Sequence, residues 1–183
     1  MKTLNIGICG FGGQGVILSA VILGTTVVTK RNMYAVQTQS YGSEARGGQC
    51  QSELIISERP INSPAAAQKD ILIALSQSSL ERYLPTLREG GVLIVDPKTV
   101  TEIPEGEGIK VVLVPATDTA VALGNRIAAN MVLLGFVQVA TNLFSTDELL
   151  DVVKEYVPAR FVDLNVAAVN AGVELAKSYG GTF

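Results

Sequence analysis

The 183-residue chain contains no histidine and no tryptophan. Without imidazole there is no Ser–His–Asp or Cys–His nucleophilic catalysis and no metal centre built on histidine. Cysteine is nearly absent: Cys9 and Cys50 are two thiols where the common iron–sulfur clusters need about four. They are also too few for a disulfide framework at this length, so a reducing, cytoplasmic compartment is expected. Cys9 closes the apolar run Ile6–Cys9 and reads as a buried, inert thiol. Charge is scarce, with Lys+Arg 14, Asp+Glu 17 and a net charge of −3, 17% of the chain against about 25% in an average soluble protein. A weakly acidic chain without basic clusters is a poor nucleic-acid binder, because neutralising phosphates takes concentrated Lys and Arg. Unbroken hydrophobic runs are missing as well. Thr3–Thr29 and Ile127–Thr146 carry no charged side chain, but five glycines in Gly7–Gly15 interrupt the first, and Asn130, Gly135, Gln138 and Asn142 the second. A membrane span needs about 20 predominantly apolar residues and a signal peptide an uninterrupted apolar centre. Both runs therefore read as buried segments.

Hydrophobic residues make up 48% of the chain and the mean hydropathy is +0.34. This is enough for one well-filled core, and residues 1–183 read as a single domain. Leu4–Cys9 is an apolar run that stops at glycines, as a buried strand does, and a helix is expected over Gly13–Thr29. Tyr34–Thr38 and Gln51–Ser57 read as strands flanking a Ser40–Gly48 loop, a hairpin-like, antiparallel excursion. A βα rhythm follows: strand Asp70–Leu75, helix Ser78–Arg88 ended by Gly90-Gly91, strand Val92–Val95, strand Val111–Val114. Helices over Arg126–Leu143, Ser145–Val157 and Asp163–Ser178 complete the chain. Ser145 and Glu148 match a capping box. Strands alternating with helices predict an α/β fold, a Rossmann-like three-layer α/β/α arrangement with a mostly parallel sheet and one or more antiparallel strands.

Gly10-Phe11-Gly12-Gly13-Gln14-Gly15 fits G-x-G-x-x-G between a strand and a helix. Such glycines permit a tight turn and close backbone approach, and the helix start offers unpaired N–H groups to a phosphate. The acid expected about 20 residues on, for a ribose hydroxyl, is missing: Lys30 and Arg31 stand there, and the next acid is Glu44. An ordinary NAD enzyme is therefore disfavoured. Two readings stand, glycines that only let helix pack on strand and glycines that meet an anion or cofactor phosphate. Asp96-Pro97 after a strand reads as a turn former.

The stretch Gln37–Gln49 (Gln-Thr-Gln-Ser-Tyr-Gly-Ser-Glu-Ala-Arg-Gly-Gly-Gln) is rich in amides, hydroxyls and glycines and has little to bury. Loops of this kind carry function when a rigid scaffold presents them. Glu44 and Arg46 either pair locally or leave Arg46 to meet a carboxylate, phosphate or acidic surface. Taken together, the two loops resemble the gamma subunit of 2-oxoacid:ferredoxin oxidoreductases along the whole chain. Gly12–Gly15 is common to the wider family, while Ser40–Gly48 looks like the 2-oxoglutarate or branched-chain branch, with Ser43 where a proline is usual.

The resemblance implies a multi-subunit enzyme that decarboxylates a 2-oxoacid on thiamine diphosphate with magnesium, passes electrons through iron–sulfur clusters to ferredoxin, and forms an acyl-coenzyme A. It implies partners, namely alpha and beta subunits and a ferredoxin-like delta subunit, and a gamma chain that packs beside the active site and helps close over coenzyme A. No catalytic residue, metal ligand or firmly bound cofactor is expected on this chain. Gly10, Gly12, Gly13, Gln14 and Gly15 are expected to face the cofactor, and Gln39, Tyr41, Glu44, Arg46, Gly47 and Gly48 a subunit contact or the rim of the active site. The isolated chain is expected to be inactive, and a homodimer is one state open to it. A free-standing Rossmann-type nucleotide-binding enzyme or sensor, and a gamma subunit acting on a branched-chain 2-oxoacid or pyruvate, are the alternatives.

Overall fold

The computed structural model describes residues 3–42, 48–64, 67–104, 108–180 and 182. Leu4–Phe11 forms strand β1, Tyr34–Tyr41 β2, Gln49–Ser57 β3, Lys69–Ala74 β4, Leu87–Val95 β5 and Lys110–Leu113 β6. They build one sheet in the order β2-β3-β1-β4-β5-β6. β1, β4, β5 and β6 run parallel, and β3 lies antiparallel between β1 and β2. The expected mostly parallel sheet with an antiparallel excursion is thus what forms. The stretches Ile6–Cys9, Ile71–Ala74 and Val92–Val95 of the parallel strands are apolar because both faces of the sheet are covered there.

Helices α1 (Val16–Arg31), α3 (Ala116–Ala122), α4 (Ala129–Thr141), α5 (Thr146–Tyr156) and α6 (Val162–Tyr179) cover one face. Their core takes Ile6 and Ile8 from β1, Leu54 and Ile56 from β3, and Met131, Phe136 and Val169 from the helices. A smaller core on the other face gathers Cys9, Leu72, Leu93 and Val95 under Leu80 and Tyr83, with α2 (Gln77–Tyr83) above it. The register explains the division: Ile6 and Ile8 pair with Ile71 and Ile73 on one face, while Gly7 and Cys9 pair with Leu72 and Ala74 on the other.

Several boundaries differ from expectation for local reasons. α2 is capped by Ser76, two residues ahead of the expected start at Ser78, and ends at Tyr83, short of the expected Arg88, where Leu84-Pro85-Thr86 tightens into a 3-10 turn. Gly90 and Gly91 lie within β5 instead of ending a helix. Gly90 takes a φ of 69°, beside the register shift between β4 and β5, which a residue without Cβ tolerates. α3 was not expected: Pro115 precedes it and its Ala-Thr-Asp-Thr-Ala-Val-Ala sequence has no marked apolar period. β2 continues past Thr38 to Tyr41, so Ser40 and Tyr41 belong to the strand, and Gly42 N–H donates to the Gln49 carbonyl at 2.7 Å to close the hairpin. At α5 the capping box forms as read, with the Ser145 hydroxyl and the Glu148 carboxylate each accepting the other's backbone N–H.

Candidate functional site at the carboxyl edge of the sheet

The parallel strands β1, β4, β5 and β6 end on the same edge, at Phe11, Ala74, Val95 and Leu113. The chain leaves β1 toward β2 and β3 but leaves β4 toward β5, so the connections diverge between β1 and β4. In open α/β sheets that divergence opens a crevice outside the strand ends. A cavity of about 190 Å³ lies there, lined by Gly13 and Gln14 after β1, Leu75 after β4, Asp96 and Thr99 after β5, Thr117 in α3, and Arg126, Ile127, Ala129 and Asn130 at the start of α4. A second, more apolar cavity of about 230 Å³ shares Gly13, Ile127 and Asn130 with it and continues between Leu18, Met131, Val157, Phe161 and Leu164.

The glycine loop is held by its own glutamine. Gln14 Oε1 accepts the Phe11 N–H at 2.6 Å, and Gln14 Nε2 donates to the Leu75 carbonyl at 2.8 Å. This side chain ties the loop to the end of β4 and has little capacity left for a ligand. Gly10 and Gly15 are packing glycines: a Cβ on Gly10 would stand 2.9 Å from Leu75 Cβ, and one on Gly15 would strike the Asn130 side chain. Gly13, with a φ of 95° and open space around it, makes the turn toward the cavity. α1 then begins with no side-chain cap, leaving first-turn N–H groups without side-chain partners among the described residues.

Asp96 sits at the far wall, 2% exposed. Its Oδ1 accepts from Lys98 N–H at 2.9 Å, the expected turn, and its Oδ2 from Thr117 N–H at 2.7 Å, anchoring the start of α3. Lys30 and Arg31 are not ligands in waiting: they pair with Asp151 and Glu148 on α5 at 2.9 and 2.8 Å.

The two loops singled out in the sequence meet. Gly12 N–H donates to the Gly48 carbonyl at 3.0 Å, so the hairpin end lies against the glycine loop. Phe11 and Tyr41, at the ends of β1 and β2, expose large rings, Tyr41 to 65%, and Gln39 is exposed beside it. Glu44, Arg46 and Gly47 lie outside the described residues. Asn130, Arg126, Thr99 and Thr117 were not among the expected site residues. They come from segments scattered over the second half of the chain, and only Asn125, which caps the turn before α4, marks their neighbourhood locally.

Cys9 and Cys50 lie in adjacent strands but enter the cores on opposite faces. Burial, and secondarily Cys50, pushes the Cys9 thiol up to about 12. The two thiols cannot converge on one cluster, and among the described residues no three His, Cys, Asp or Glu side chains gather as a metal site. No helix among them is long and apolar enough to cross a membrane.

An α/β sheet with a stapled glycine loop at its carboxyl edge defines a domain of Rossmann-like architecture. The chain belongs to the pyruvate ferredoxin/flavodoxin oxidoreductase family, whose model matches residues 5–175. It is 43% identical to the 2-oxoglutarate synthase subunit KorC of Methanothermobacter marburgensis over 93% of this chain and 95% of that protein. Among solved structures, the gamma subunit of a keto/oxoacid ferredoxin oxidoreductase from Geobacter sulfurreducens superimposes with a TM-score of 0.84 at 39% identity, covering 96% of this chain and 99% of that one. A 2-oxoglutarate:ferredoxin oxidoreductase from Magnetococcus marinus shares the fold with the same TM-score, 0.84, at 22% identity; there the match covers 97% of this chain but 32% of the other.

Proposed function

We propose that the chain, acting as one domain over residues 1–183, is the gamma subunit of a 2-oxoglutarate:ferredoxin oxidoreductase. The observation that carries this is the 43% identity to a KorC subunit along nearly the full length of both chains. Identity falls to 31% against a ketoisovalerate oxidoreductase subunit, of which the match spans 36%, which favours 2-oxoglutarate over a branched-chain substrate. The partners in this reading are alpha and beta subunits and a ferredoxin-like delta subunit in the cytoplasm. They hold thiamine diphosphate, magnesium and the iron–sulfur clusters, which supply decarboxylation and electron transfer.

This chain contributes a surface. The Gly12-Gly13 face of the glycine loop and the cavity behind it border coenzyme A, while Phe11, Gln39, Tyr41 and Gly48, with Glu44, Arg46 and Gly47, meet the neighbouring subunit. Rings exposed beside glycines suit that role, because a backbone without Cβ lets another chain approach closely and aromatic side chains anchor interfaces. The half-buried Gln14 staple keeps the loop in shape as subunits close.

Reconstitution tests the reading. The four chains together are expected to reduce ferredoxin with 2-oxoglutarate and coenzyme A, and to lose that activity when this chain is omitted. Full activity without it, or a preference for pyruvate or 2-oxoisovalerate, would refute the assignment.

A further inference from the structure

We infer that the free edge of β2 docks a second copy of this chain, the two β2 strands pairing antiparallel about a two-fold axis at Thr38. β2 is an outermost strand of the sheet, eight residues long and in unbroken register with β3. Edge strands usually carry a lysine, a proline or a bulge, or are very short, and so deter a second chain. β6, the opposite edge, is four residues long and begins with Lys110. β2 has none of these guards: Tyr-Ala-Val-Gln-Thr-Gln-Ser-Tyr carries no charge and no proline.

The ladder to β3 fixes which groups are free. Gly42 N–H donates to the Gln49 carbonyl, and the Thr38 carbonyl accepts from Ser52 Oγ at 3.2 Å, so the even-numbered residues turn their backbone toward β3. Backbone direction alternates along an antiparallel strand. Ala35, Gln37, Gln39 and Tyr41 therefore point their N–H and C=O groups away from the sheet. Their side chains share the face of Ile56, Leu54, Ser52 and Cys50, their partners in register, which is the face under α1. A two-fold axis perpendicular to the sheet keeps that face common to both copies, and each outward residue must meet another outward residue. An axis at Thr38 achieves this for all of them, with Gln37 opposite Gln39, and Ala35 opposite Tyr41, of the second copy.

What lies beside Ala35 identifies the occupant. A groove of about 350 Å³ runs there between α1 and β2, lined by Val21, Gly24, Thr25, Val28 and Ala35 among others. Val28 is exposed in it, although α1 carries no charged side chain before Lys30. Tyr41 projects a ring that is 65% exposed from the same face of the sheet. The register lays that ring over Ala35 and into the groove of the second copy, and the axis repeats the contact. Lys30 and Arg31, at the end of α1, are neutralised by Asp151 and Glu148 of their own chain, so neither charge opposes docking. The pairing needs nothing of the proposed enzyme. Of the surface assigned above to a neighbouring subunit, it gives Gln39 and Tyr41 to a second copy of this chain.

Sedimentation equilibrium of the full chain alone tests the pairing, with a reversible dimer of twice the 19.3 kDa chain mass expected. Gln39→Pro removes an outward N–H and no bond to β3, a change an edge strand tolerates. It is expected to keep the circular dichroism of the wild type and to lose the dimer. Tyr41→Ser is expected to raise the dimer Kd about 100-fold, because the axis uses each ring twice. Thr38→Cys sets two thiols against each other at the axis and is expected to oxidise to a covalent dimer, whereas Val36→Cys, opposite Ser40, is not. Cys9 and Cys50 are buried and do not interfere. A monomer across the soluble concentration range overturns the pairing. So does a dimer that folded Gln39→Pro and Tyr41→Ser leave intact, or one that Thr38→Cys fails to cross-link. If the chain is monomeric and folded Gln39→Pro blocks assembly with the other subunits, the edge belongs to one of them and not to a second copy. None of these readouts uses enzyme activity, so failure here and failure of the 2-oxoglutarate assignment are told apart.

Discussion

α4 and α6 cross with glycine against backbone, and replacing either glycine reverses the usual helix rule. A Cβ on Gly135 would collide with the Val169 carbonyl oxygen and lie 2.8 Å from its carbon. One on Gly172 would collide with the Val132 oxygen and lie 2.8 Å from that carbon and 2.9 Å from Phe136 N. These are backbone atoms, so no rotamer change relieves the overlap and the helices must part. Gly→Ala inside a helix ordinarily gains about 1 kcal/mol. Overpacking costs about 1–3 kcal/mol, and here the crossing runs through the main core, where Val132, Phe136 and Val169 are all buried. Gly135→Ala and Gly172→Ala are each expected to lose about 2 kcal/mol net, which at this size lowers Tm by about 4–8 °C. The double variant is expected to lose less than the sum, since one displacement makes room for both methyls. Gly24→Ala in α1 is the control. Its nearest neighbour is the tip of the Leu54 side chain at 3.2 Å, which can move, so stability should stay within about 1 kcal/mol of wild type. Thermal and urea unfolding of the full chain measure all four. Gly135→Ala melting at or above wild type would sink the close-crossing account.

Two further predictions concern pH. Ser145→Ala is expected to cost about 1 kcal/mol through loss of the α5 cap. The Ser145 backbone N–H, and secondarily its hydroxyl and Arg31, hold the Glu148 carboxyl below its usual range. Its contribution is therefore present above the ordinary carboxylate range and lost as pH falls through the lowered value; because Ser145→Ala keeps the backbone N–H, urea midpoints between pH 6 and 3 should show that loss only partly reduced in the variant. Cys9 behaves oppositely: its thiol is raised from 9.0 to about 12, so the folded chain keeps a proton that the unfolded chain gives up. Stability is unaffected below pH 9 and falls between about 9 and 12, by up to about 4 kcal/mol, a decline that Cys9→Ala should lack.

What was legible in the sequence were features with local causes. An apolar run stopped by glycines marked β1, one stopped by Ser76-Gln77 marked β4, and Ser145 with Glu148 marked the start of α5 because both halves of the cap lie within one turn. The β2–β3 hairpin was legible because two strand-like runs flank one loop. Misreadings arose where tertiary context decides. Pro85 ended α2 early, Gly90 served a bulge and not a helix end, and α3 is held by the Asp96 bond to Thr117 N–H, a partner 21 positions away. The glycine loop was recognisable as a motif, but its division of labour was not. Gly10 and Gly15 answer to Leu75 and Asn130, residues 65 and 115 positions further on, so their packing role has no signature nearby. Arg126 and Asn130 were hidden for the same reason: their meaning comes from which strand ends they face.

Placement also gives the low charge content its meaning. If the scarcity of charge served only the core, exposed apolar side chains would be scattered, as they are on any soluble surface. Val28 and Tyr156 are of that kind. Phe11, Tyr41 and Leu113, however, are exposed at the carboxyl ends of β1, β2 and β6, Ile127 is 75% exposed at the mouth of the first cavity, and Phe161 is exposed on the second. They surround the glycine loop and Arg126 on one edge of the sheet. An apolar ring around a polar, positively polarised centre is costly to leave in water. It becomes favourable once another chain covers the ring and a ligand neutralises the centre. Covering also excludes solvent, which strengthens each hydrogen bond between loop and ligand. On the function proposed above, subunit docking and ligand binding at this edge reinforce one another, and coenzyme A is expected to tighten the association of this chain with its partners.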